Sequence, residues 1–373
     1  MVYLLFAFLI MVLSFFCCTY NKYFNQVQRK IMWFCFILII AFLCSMIDPR
    51  INYDLARYYI DLDIIRGSHV ELGEFVLGDI IITDDNYRFT YTHNFISYVI
   101  SHYFPKQALP FFTISFCYGC MAYIFEDIHE NEKVYNWKIA MVILIAITTL
   151  PLVYVYSNIR TAMAMSIMGL NIYRIIYKNE NILCFIVMSL IAATIHPVAL
   201  AIIPFLFLSR LRLPKIGILF ISIVPFIVNY VMEIFQYSDN LYLKYIGIKY
   251  YNYVFVEIYS QGIFFYYSEL LMTIAVLCII LFVDYKEKKE NIKHIKMKNI
   301  ITWYCVFILS CAQSYQLILR LPFLFGVLSP IILKNIVLLH EFGHWKRNLN
   351  IYIVLAIISL SLVAIAQNFR WLI

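Results

Sequence analysis

The chain has 373 residues, of which 63% are hydrophobic, 18% aromatic and 14% charged. Soluble domains average about 45–50% apolar and about 25% charged residues, so this composition excludes an ordinary soluble fold. The formal net charge of +7 is gathered in a few loops, so it does not indicate a nucleic-acid partner. Long, continuously apolar runs predict helices that cross a bilayer and satisfy their own backbone hydrogen bonds.

Two apolar runs come first, at residues 2–19 and 31–47, and the loop between them, residues 21–30, carries basic side chains and no acid. Cytoplasmic loops are rich in lysine and arginine, so this loop is predicted to lie inside and the N-terminus outside. Residues 48–106, which are rich in aspartate and glutamate, are then predicted to lie outside. Within them, residues 91–104 are too short and polar for a span, which predicts an interfacial or re-entrant helix.

Further membrane segments are predicted in alternating directions, so that the basic loops stay inside. They comprise residues 107–125, 137–156, 161–177, 181–209, 216–233, 263–283, 300–317, 321–333 and 351–369. Residues 126–138 are the exception, since this predicted cytoplasmic loop carries four acids and two lysines. Acidic residues have little weight in the topology rule, so the predicted orientation is kept.

Residues 181–209 must begin and end at the cytoplasmic face, yet they are short for two full spans of about 20 residues each. His196 and Pro197 interrupt them, which predicts two short helices that meet at a break. The predicted fold is therefore all-α and polytopic, with about twelve transmembrane segments including the broken helix pair around His196. We expect a single membrane domain, residues 1–373, with outer segments at residues 48–106 and 234–262.

Three ionisable residues inside or at the end of apolar runs emerge on the outer side in this topology, namely Arg160, His196 and Arg320. Ionisable groups at membrane depth cost about 2.5 kcal/mol or more on insertion, so they are functional candidates. The structural alternatives are arginines that extend to the headgroups and a histidine that binds a carbonyl beside the helix break. We predict that the three side chains converge in one cavity open to the outer side.

Four short motifs follow one another along the chain. They are Tyr53-Asp54-Leu55-Ala56-Arg57-Tyr58-Tyr59, Ser157-Asn158-Ile159-Arg160, Ile195-His196-Pro197-Val198-Ala199-Leu200 and Arg320-Leu321-Pro322-Phe323. In order and position they resemble the EpsG/Wzy-like polymerases of O-antigen, capsule and exopolysaccharide. The sequence departs from the family pattern at Arg50-Ile51-Asn52, in place of a glycine-rich lead-in, and at His93-Asn94-Phe95, in place of an acid and a proline.

This resemblance implies a glycosyltransferase in the bacterial cytoplasmic (inner) membrane. It would join undecaprenyl-pyrophosphate-linked oligosaccharide repeats at the outer face, where a hydroxyl of one repeat displaces the lipid pyrophosphate of another. The implied partners are the lipid-linked oligosaccharide, membrane lipid and a chain-length regulator protein. No nucleic acid, metal or other cofactor is expected, because the donor is already activated by its lipid pyrophosphate.

The residue types suit this reaction. Negative charge develops on the leaving pyrophosphate, and a guanidinium binds phosphate in a bidentate manner, so Arg160, Arg320 and Arg57 are predicted pyrophosphate ligands. His196 is the predicted general base, with Asp54 as the alternative base. Asp54 and Arg57 lie one turn apart in a predicted amphipathic helix on the membrane, where a solvated ion pair is the structural alternative. Asp61 continues their polar side, and apolar residues recur with near-helical spacing on another side, namely Leu55, Tyr59, Leu62 and Ile65.

Two other functions remain open. His340-Glu341-Phe342-Gly343-His344 satisfies the HExxH pattern, in which two histidines bind zinc and the glutamate activates water, as in an intramembrane zinc metalloprotease. Against it, no Asp, Glu, His or Cys follows His344 to provide a third ligand. A transporter or flippase for the lipid-linked glycan is the other alternative, although such proteins are often built from internal repeats and we find none here.

Overall fold

The computed structural model describes residues 25–48, 53–77, 89–129, 146, 149–150, 152–211, 216–252, 263–284, 292–311 and 314–338. Every regular element within these ranges is a helix, as the composition predicts. The predicted spans at residues 2–19 and 351–369 and the HExxH motif lie outside the described residues.

The described helices are numbered here along the chain. In chain order they are α1 (Gln26–Ser45), α2 (Tyr53–Gly67), α3 (Leu72–Leu77), α4 (Tyr91–Tyr103), α5 (Ala108–His129), α6 (Leu152–Ser157), α7 (Ile159–Tyr177), α8 (Ile182–Ile195), a 3₁₀ helix (Pro197–Ile202), α9 (Ile203–Leu208), α10 (Ile216–Gln236), α11 (Leu241–Tyr251), α12 (Ile263–Asp284), α13 (Ile292–Ser310), α14 (Tyr315–Arg320) and α15 (Phe323–Leu338).

The chain divides into two compact units. The first consists of Met1–Tyr173, Leu190–His196 and Phe323–Ile373, and the second of Arg174–Ser189 and Pro197–Pro322. Helices α1 to α6 and α15 therefore belong to the first unit and helices α9 to α14 to the second, while α7 and α8 each have residues in both.

Helices α1 and α5 of the first unit pack antiparallel. Asn25 begins α1 with a capping box, because its side chain accepts from the Gln28 N–H while the Gln28 side chain accepts from the Asn25 N–H. One turn further on, Arg29 Nε and Trp33 Nε1 each donate to the Glu126 carboxylate at 3.1 Å. Since Glu126 lies near the end of α5, the start of one helix is fastened to the end of the other.

Two of the four acids at residues 126–138 lie at the end of α5. Glu126 lies within α5 and is paired with Arg29, and the two side chains are only 7% and 12% exposed. The neighbouring Asp127 accepts a hydrogen bond from the hydroxyl of Tyr173 on α7. These two carboxylates are therefore helix residues with partners rather than charges of a solvated loop.

Helices α2 and α4 lie side by side in the same direction. The apolar row of α2, predicted from its spacing, is buried: Leu55, Tyr59, Leu62 and Ile65 are at most 4% exposed. This row packs against α4 and α6. Other helices therefore cover it, whereas the sequence predicts that this helix lies on the membrane surface. Asp61, predicted on the polar side of α2, is also buried, at 7% exposure.

Two cations fasten the far end of this helix pair. Arg66 donates to the carbonyl oxygens of Ser101 at 2.5 Å and of Phe104 at 2.8 Å. These are among the last carbonyls of α4, which have no partner within the helix. Lys106 pairs with Asp63 of α2 at 2.6 Å. The end of α2 is thus held to the end of α4 and to the loop that follows it.

Helix α13 is the centre of the second unit, where it packs against α9, α10 and α12. Its Asn299 and Trp303 side chains donate to the carbonyl oxygens of Ser209, at 2.7 Å, and Leu211, at 3.2 Å. The helix begins at Ile292, eight residues before the predicted span at 300–317. The intervening lysines belong to the helix because lysine is a good helix former, and Lys293 donates to the carbonyl of Tyr177 at 2.8 Å.

Two described helices, Gln26–Ser45 and Ala108–Ile128, are long and apolar enough to cross a bilayer. They match the predicted spans at residues 31–47 and 107–125. Helix α4 has 13 residues, fewer than the roughly 20 of a span, as predicted for an interfacial element. The total of about twelve membrane segments and the single membrane domain stay predictions.

Candidate functional site

The helix break at His196 is present. Helix α8 ends at Ile195, the His196 N–H still donates to the Ala192 carbonyl at 2.9 Å, and the chain then forms six residues of 3₁₀ helix from Pro197. Proline has no N–H to donate and disfavours the helical conformation of the residue before it, which explains the position of the break. The half-buried His196 therefore stands at the end of a helix, as the sequence predicts.

A pair of threonines connects this break to α4. The hydroxyl of Thr194 lies 2.8 Å from that of Thr92, in the first turn of α4. That turn is held in place by Asn94, whose side chain donates to the carbonyl oxygens of Phe75 and Val76, both at 3.4 Å. His196 thus lies two residues beyond a contact with the well-anchored start of α4.

His93 follows Thr92 and is fully buried. Its Nε2 lies 3.4 Å from the hydroxyl of Ser97, one turn further along α4. Its ring meets that of Tyr58, on α2, nearly edge-on, with ring centroids 5.9 Å apart. An edge-to-face arrangement is favourable between aromatic rings, so the imidazole holds the phenol ring from one side.

Arg160 reaches the same phenol from another helix. It is the second residue of α7 and its Nε donates to the Tyr58 hydroxyl at 3.3 Å. Helix α7 begins with an ordinary backbone hydrogen bond, from the Ala162 N–H to the Asn158 carbonyl at 2.9 Å. Arg160 is half-buried, whereas Tyr58 is only 4% exposed. We call Tyr58, His93 and Arg160 the Arg160 cluster.

The electrostatics of the Arg160 cluster keep His93 neutral. Burial lowers the pKa of His93 well below its ordinary value, and the positive charge of Arg160 lowers it further. Both causes act against the protonated imidazole, since an ion loses hydration when it is buried and like charges repel. At neutral pH, His93 therefore adds no charge to the cluster.

Asp54 lies one turn before Tyr58 on α2, and Arg57 directly precedes Tyr58. Their side chains form an ion pair at 3.6 Å, with 39% and 37% of the two side chains exposed. The Arg57 guanidinium carbon also lies 5.7 Å from the centre of the Tyr58 ring. In the first unit, Arg57 and Arg160 thus both contact Tyr58, and Asp54 pairs with Arg57. His196 follows two residues after the threonine that contacts α4.

Arg320 belongs to the second unit, where it is the last residue of α14. This short helix begins at Ser314, whose side chain accepts from the Leu317 N–H, and it packs against α12. The convergence of Arg320 with Arg160 and His196 stays a prediction.

Tyr58 and His93 are the site residues that sequence reasoning missed. Tyr58 belongs to the first motif, but its hydroxyl has nothing in the sequence to mark it among 31 tyrosines. The sequence distinguishes His93 only as a residue that stands where the family pattern has another residue type. The one available signal was thus a departure from a pattern, and the contact between α2, α4 and α7 was needed to interpret it.

Among the described residues, no group of three or more His, Cys, Asp or Glu side chains is arranged to hold a metal ion. The HExxH motif at residues 340–344 lies outside those residues. The Arg160 cluster consists of one cation and two aromatic rings, and a guanidinium is suited to binding an anion.

No curated protein and no solved structure matches this chain significantly. A protein-family model does match, that of the EpsG family, over residues 33–372. The matched range contains all four sequence motifs and every residue of the Arg160 cluster. Because it covers most of the 373 residues, and in agreement with the order of the motifs, the chain belongs to the EpsG family.

Proposed function

We propose that this protein joins undecaprenyl-pyrophosphate-linked oligosaccharide repeats into a polysaccharide at the outer face of the bacterial cytoplasmic membrane. Membership of the EpsG family supports a membrane-associated enzyme of the polysaccharide polymerase type. The observation that carries the finer proposal is the Arg160 cluster, in which the Arg160 guanidinium donates to the Tyr58 hydroxyl beside the buried ring of His93.

The proposed reaction transfers a glycan from pyrophosphate to a sugar hydroxyl. The acceptor oxygen forms a bond to the anomeric carbon, while the bond from that carbon to the pyrophosphate oxygen breaks with both electrons. Negative charge therefore accumulates on the leaving lipid pyrophosphate. Arg160 suits this charge because a guanidinium keeps its proton at all physiological pH values and offers several N–H donors in one plane.

The proton of the acceptor hydroxyl has to leave in the same reaction. We assign it to His196, because an imidazole exchanges protons near neutral pH and the helix break leaves His196 at the end of α8. Asp54 is the alternative base, although its carboxylate already lies 3.6 Å from the Arg57 guanidinium. Arg57 itself is a proposed further ligand of the pyrophosphate.

Arg320 is proposed as a second pyrophosphate ligand on the strength of its motif alone. Its place at the end of α14 is followed by Leu321 and Pro322, so the helix stops directly after the guanidinium. A residue at a helix end can point its charge beyond the helix. Lipid-linked donors carry two phosphates, so two guanidiniums match the charge that the reaction releases.

The lengths and surfaces of other helices support a multi-pass arrangement. Helices α10 and α12 have 21 and 22 residues, enough to cross a bilayer, which takes about 20. Helix α10 exposes Phe226 at 75%, and α8 exposes Leu183 at 63% and Leu190 at 57%. Such faces are unfavourable in water and favourable against lipid. We infer that these helices also lie in the membrane.

The proposal is tested with variants in a strain whose own copy of the gene is deleted. Arg160→Lys, Arg320→Lys and His196→Ala are each expected to express normally and to leave lipid-linked repeats unjoined, which gel electrophoresis of the glycan shows as loss of long chains. Lysine keeps the charge but not the planar set of donors, so this exchange tests phosphate geometry rather than charge alone.

Arg174→Lys is the matched control. Arg174 pairs with Glu180 at 2.7 Å, and its side chain is 40% exposed, so it takes part in a surface ion pair away from the motifs. This variant should produce polymer of normal length. Normal chain length in the Arg160, Arg320 and His196 variants as well would reject the assignment of the site.

A further inference from the structure

Glu269 is an acidic residue on the buried side of the apolar helix α12. It is the seventh residue of this helix and is only 7% exposed. Thr273 and Ile280 share its side of the helix and are buried as well. The opposite side is exposed and, in the arrangement inferred above, faces lipid; it consists of Tyr267, Leu271, Ile274 and Cys278. The carboxyl group of Glu269 therefore faces neighbouring helices and not the bilayer.

This carboxyl group has no hydrogen bond or ion pair with any described residue. The nearby Thr273 hydroxyl donates to the backbone carbonyl of Glu269, at 2.9 Å, and not to its side chain. Glu126 of α5 shows the usual arrangement of a buried carboxylate, since it accepts from both Arg29 and Trp33. An acid inside a membrane segment is costly and marks a candidate functional site. Glu269 thus has two buried acceptor oxygens that the described fold does not use.

The position of Glu269 along α12 brings it to the end of the second unit that carries Arg320. Helices α12 and α13 pack against each other across a connection of seven residues, 285–291. Such a connection spans at most about 28 Å, less than the length of α12 at about 33 Å, so the two helices run antiparallel. Helix α14 follows the end of α13 after four residues, 311–314, and packs against α12. Glu269 is about 9 Å from the start of α12 and therefore lies in the half nearer to α14, whose last residue is Arg320.

We propose that Glu269 binds hydroxyl groups of the sugars in the lipid-linked repeat. A carboxyl group offers two acceptor oxygens side by side, which match two neighbouring hydroxyls of a sugar ring. Few water molecules compete for these hydrogen bonds at a buried position, which strengthens them. A phosphate is a poor ligand for this side chain because like charges repel. The inference rests on the proposed function and deepens it, since it names the part of the substrate that the second unit recognises.

The experiment measures the affinity of the purified full-length protein in detergent for two lipids. One is the lipid-linked repeat extracted from a strain that lacks this gene, and the other is undecaprenyl pyrophosphate without sugar. Glu269→Gln keeps the size of the side chain but replaces one acceptor oxygen by an amide donor, which is expected to weaken binding of the repeat about tenfold. Binding of the sugar-free lipid should not weaken. Glu269→Ala removes both oxygens and should lose more affinity, again for the repeat only.

Glu233→Gln is the matched control. Glu233 belongs to the same unit, near the end of α10, but it is exposed. This variant loses the same charge, and its affinity for both lipids should equal that of the natural protein. Melting temperatures show that the compared proteins are folded, and Glu269→Gln carries the test if Glu269→Ala does not fold.

The two lipids separate this inference from the proposed function. If Glu269→Gln binds the repeat normally, or if it loses affinity equally for both lipids, recognition of sugar hydroxyls by Glu269 is overturned and the proposed function stands. If the natural protein binds neither lipid, the proposed function fails, and the role of Glu269 fails with it.

Discussion

Two arginines of the first unit are held in opposite ways. Arg29, at the start of α1, donates to the buried carboxylate of Glu126, and the two charges offset each other inside the protein. Arg160, at the start of α7, donates to the neutral hydroxyl of Tyr58. The first arrangement fastens two helices together through a buried ion pair, while the second joins a guanidinium to a buried phenol. The buried carboxylate partner thus marks Arg29 as a structural arginine.

The largest loss of stability is expected when the buried ion pair of Arg29 and Glu126 is broken. Glu126→Ala would leave the guanidinium of Arg29 and the Trp33 N–H buried without their acceptor, and loss of one partner from a buried ion pair costs about 3–5 kcal/mol. We expect a much lower melting temperature in detergent, with normal polymer length from the protein that remains folded. An unchanged melting temperature would contradict the structural role of the Arg29–Glu126 pair.

A smaller loss of stability is expected where Gly326 of α15 approaches the backbone of Thr149. A Cβ on Gly326 would lie 2.8 Å from the carbonyl oxygen of Thr149, so Gly326→Ala forces backbone to move. We expect a destabilisation of about 1–3 kcal/mol, measured as a shift in thermal unfolding. The control is Gly119→Ala in α5, where a Cβ meets nothing within 4 Å and alanine favours the helix. Equal shifts for both variants would contradict the close approach.

The stability of the folded protein should depend on pH through His93 of the Arg160 cluster. The pKa of His93 is lowered in the folded protein, so below about pH 6.5 the unfolded chain binds a proton at this position that the folded protein resists. Stability should therefore fall as the pH drops from about 6.5 toward the lowered pKa, and this contribution should be constant above about 6.5. His93→Gln should flatten that part of a plot of melting temperature against pH. A profile as steep as that of the natural protein would exclude His93 as its source.

The smallest effect on stability is expected for Asp54→Asn. The ion pair of Asp54 with Arg57 is more than one-third exposed on both sides, and such pairs contribute less than about 1 kcal/mol. The same variant decides between the two proposed bases. Polymer of normal length would leave the proton transfer with His196, whereas loss of polymer in a fully stable protein would assign it to Asp54.

Local sequence signals predicted much of the helical architecture. The Pro197 break, the apolar row of α2 and the spans near α1 and α5 follow from residues close together in sequence, because proline geometry and helical periodicity act locally. The predicted span at residues 300–317 begins later than α13 does, because the six lysines in residues 284–299 indicate a cytoplasmic loop. Helix formation and a position inside the membrane are separate properties, and charge patterns report only the second.

The contacts that build the Arg160 cluster could not be predicted in this way. Tyr58 and Arg160 are separated by 102 residues, and Arg29 and Glu126 by 97. Such pairs depend on which helices become neighbours, and the sequence of one chain does not specify that directly. The family motifs identified Arg160 as a candidate, but its partner became visible only when α2 and α7 were placed together.

The fastening of α2 to α4 has a consequence for repeated catalysis. Arg66 and Lys106 clamp one end of this helix pair, and the ring contact of Tyr58 with His93 clamps the other. Neither helix can slide along its neighbour by a turn without losing contacts at both ends. An enzyme that extends a polymer must restore the same arrangement after every addition. A helix pair held at both ends provides that constancy.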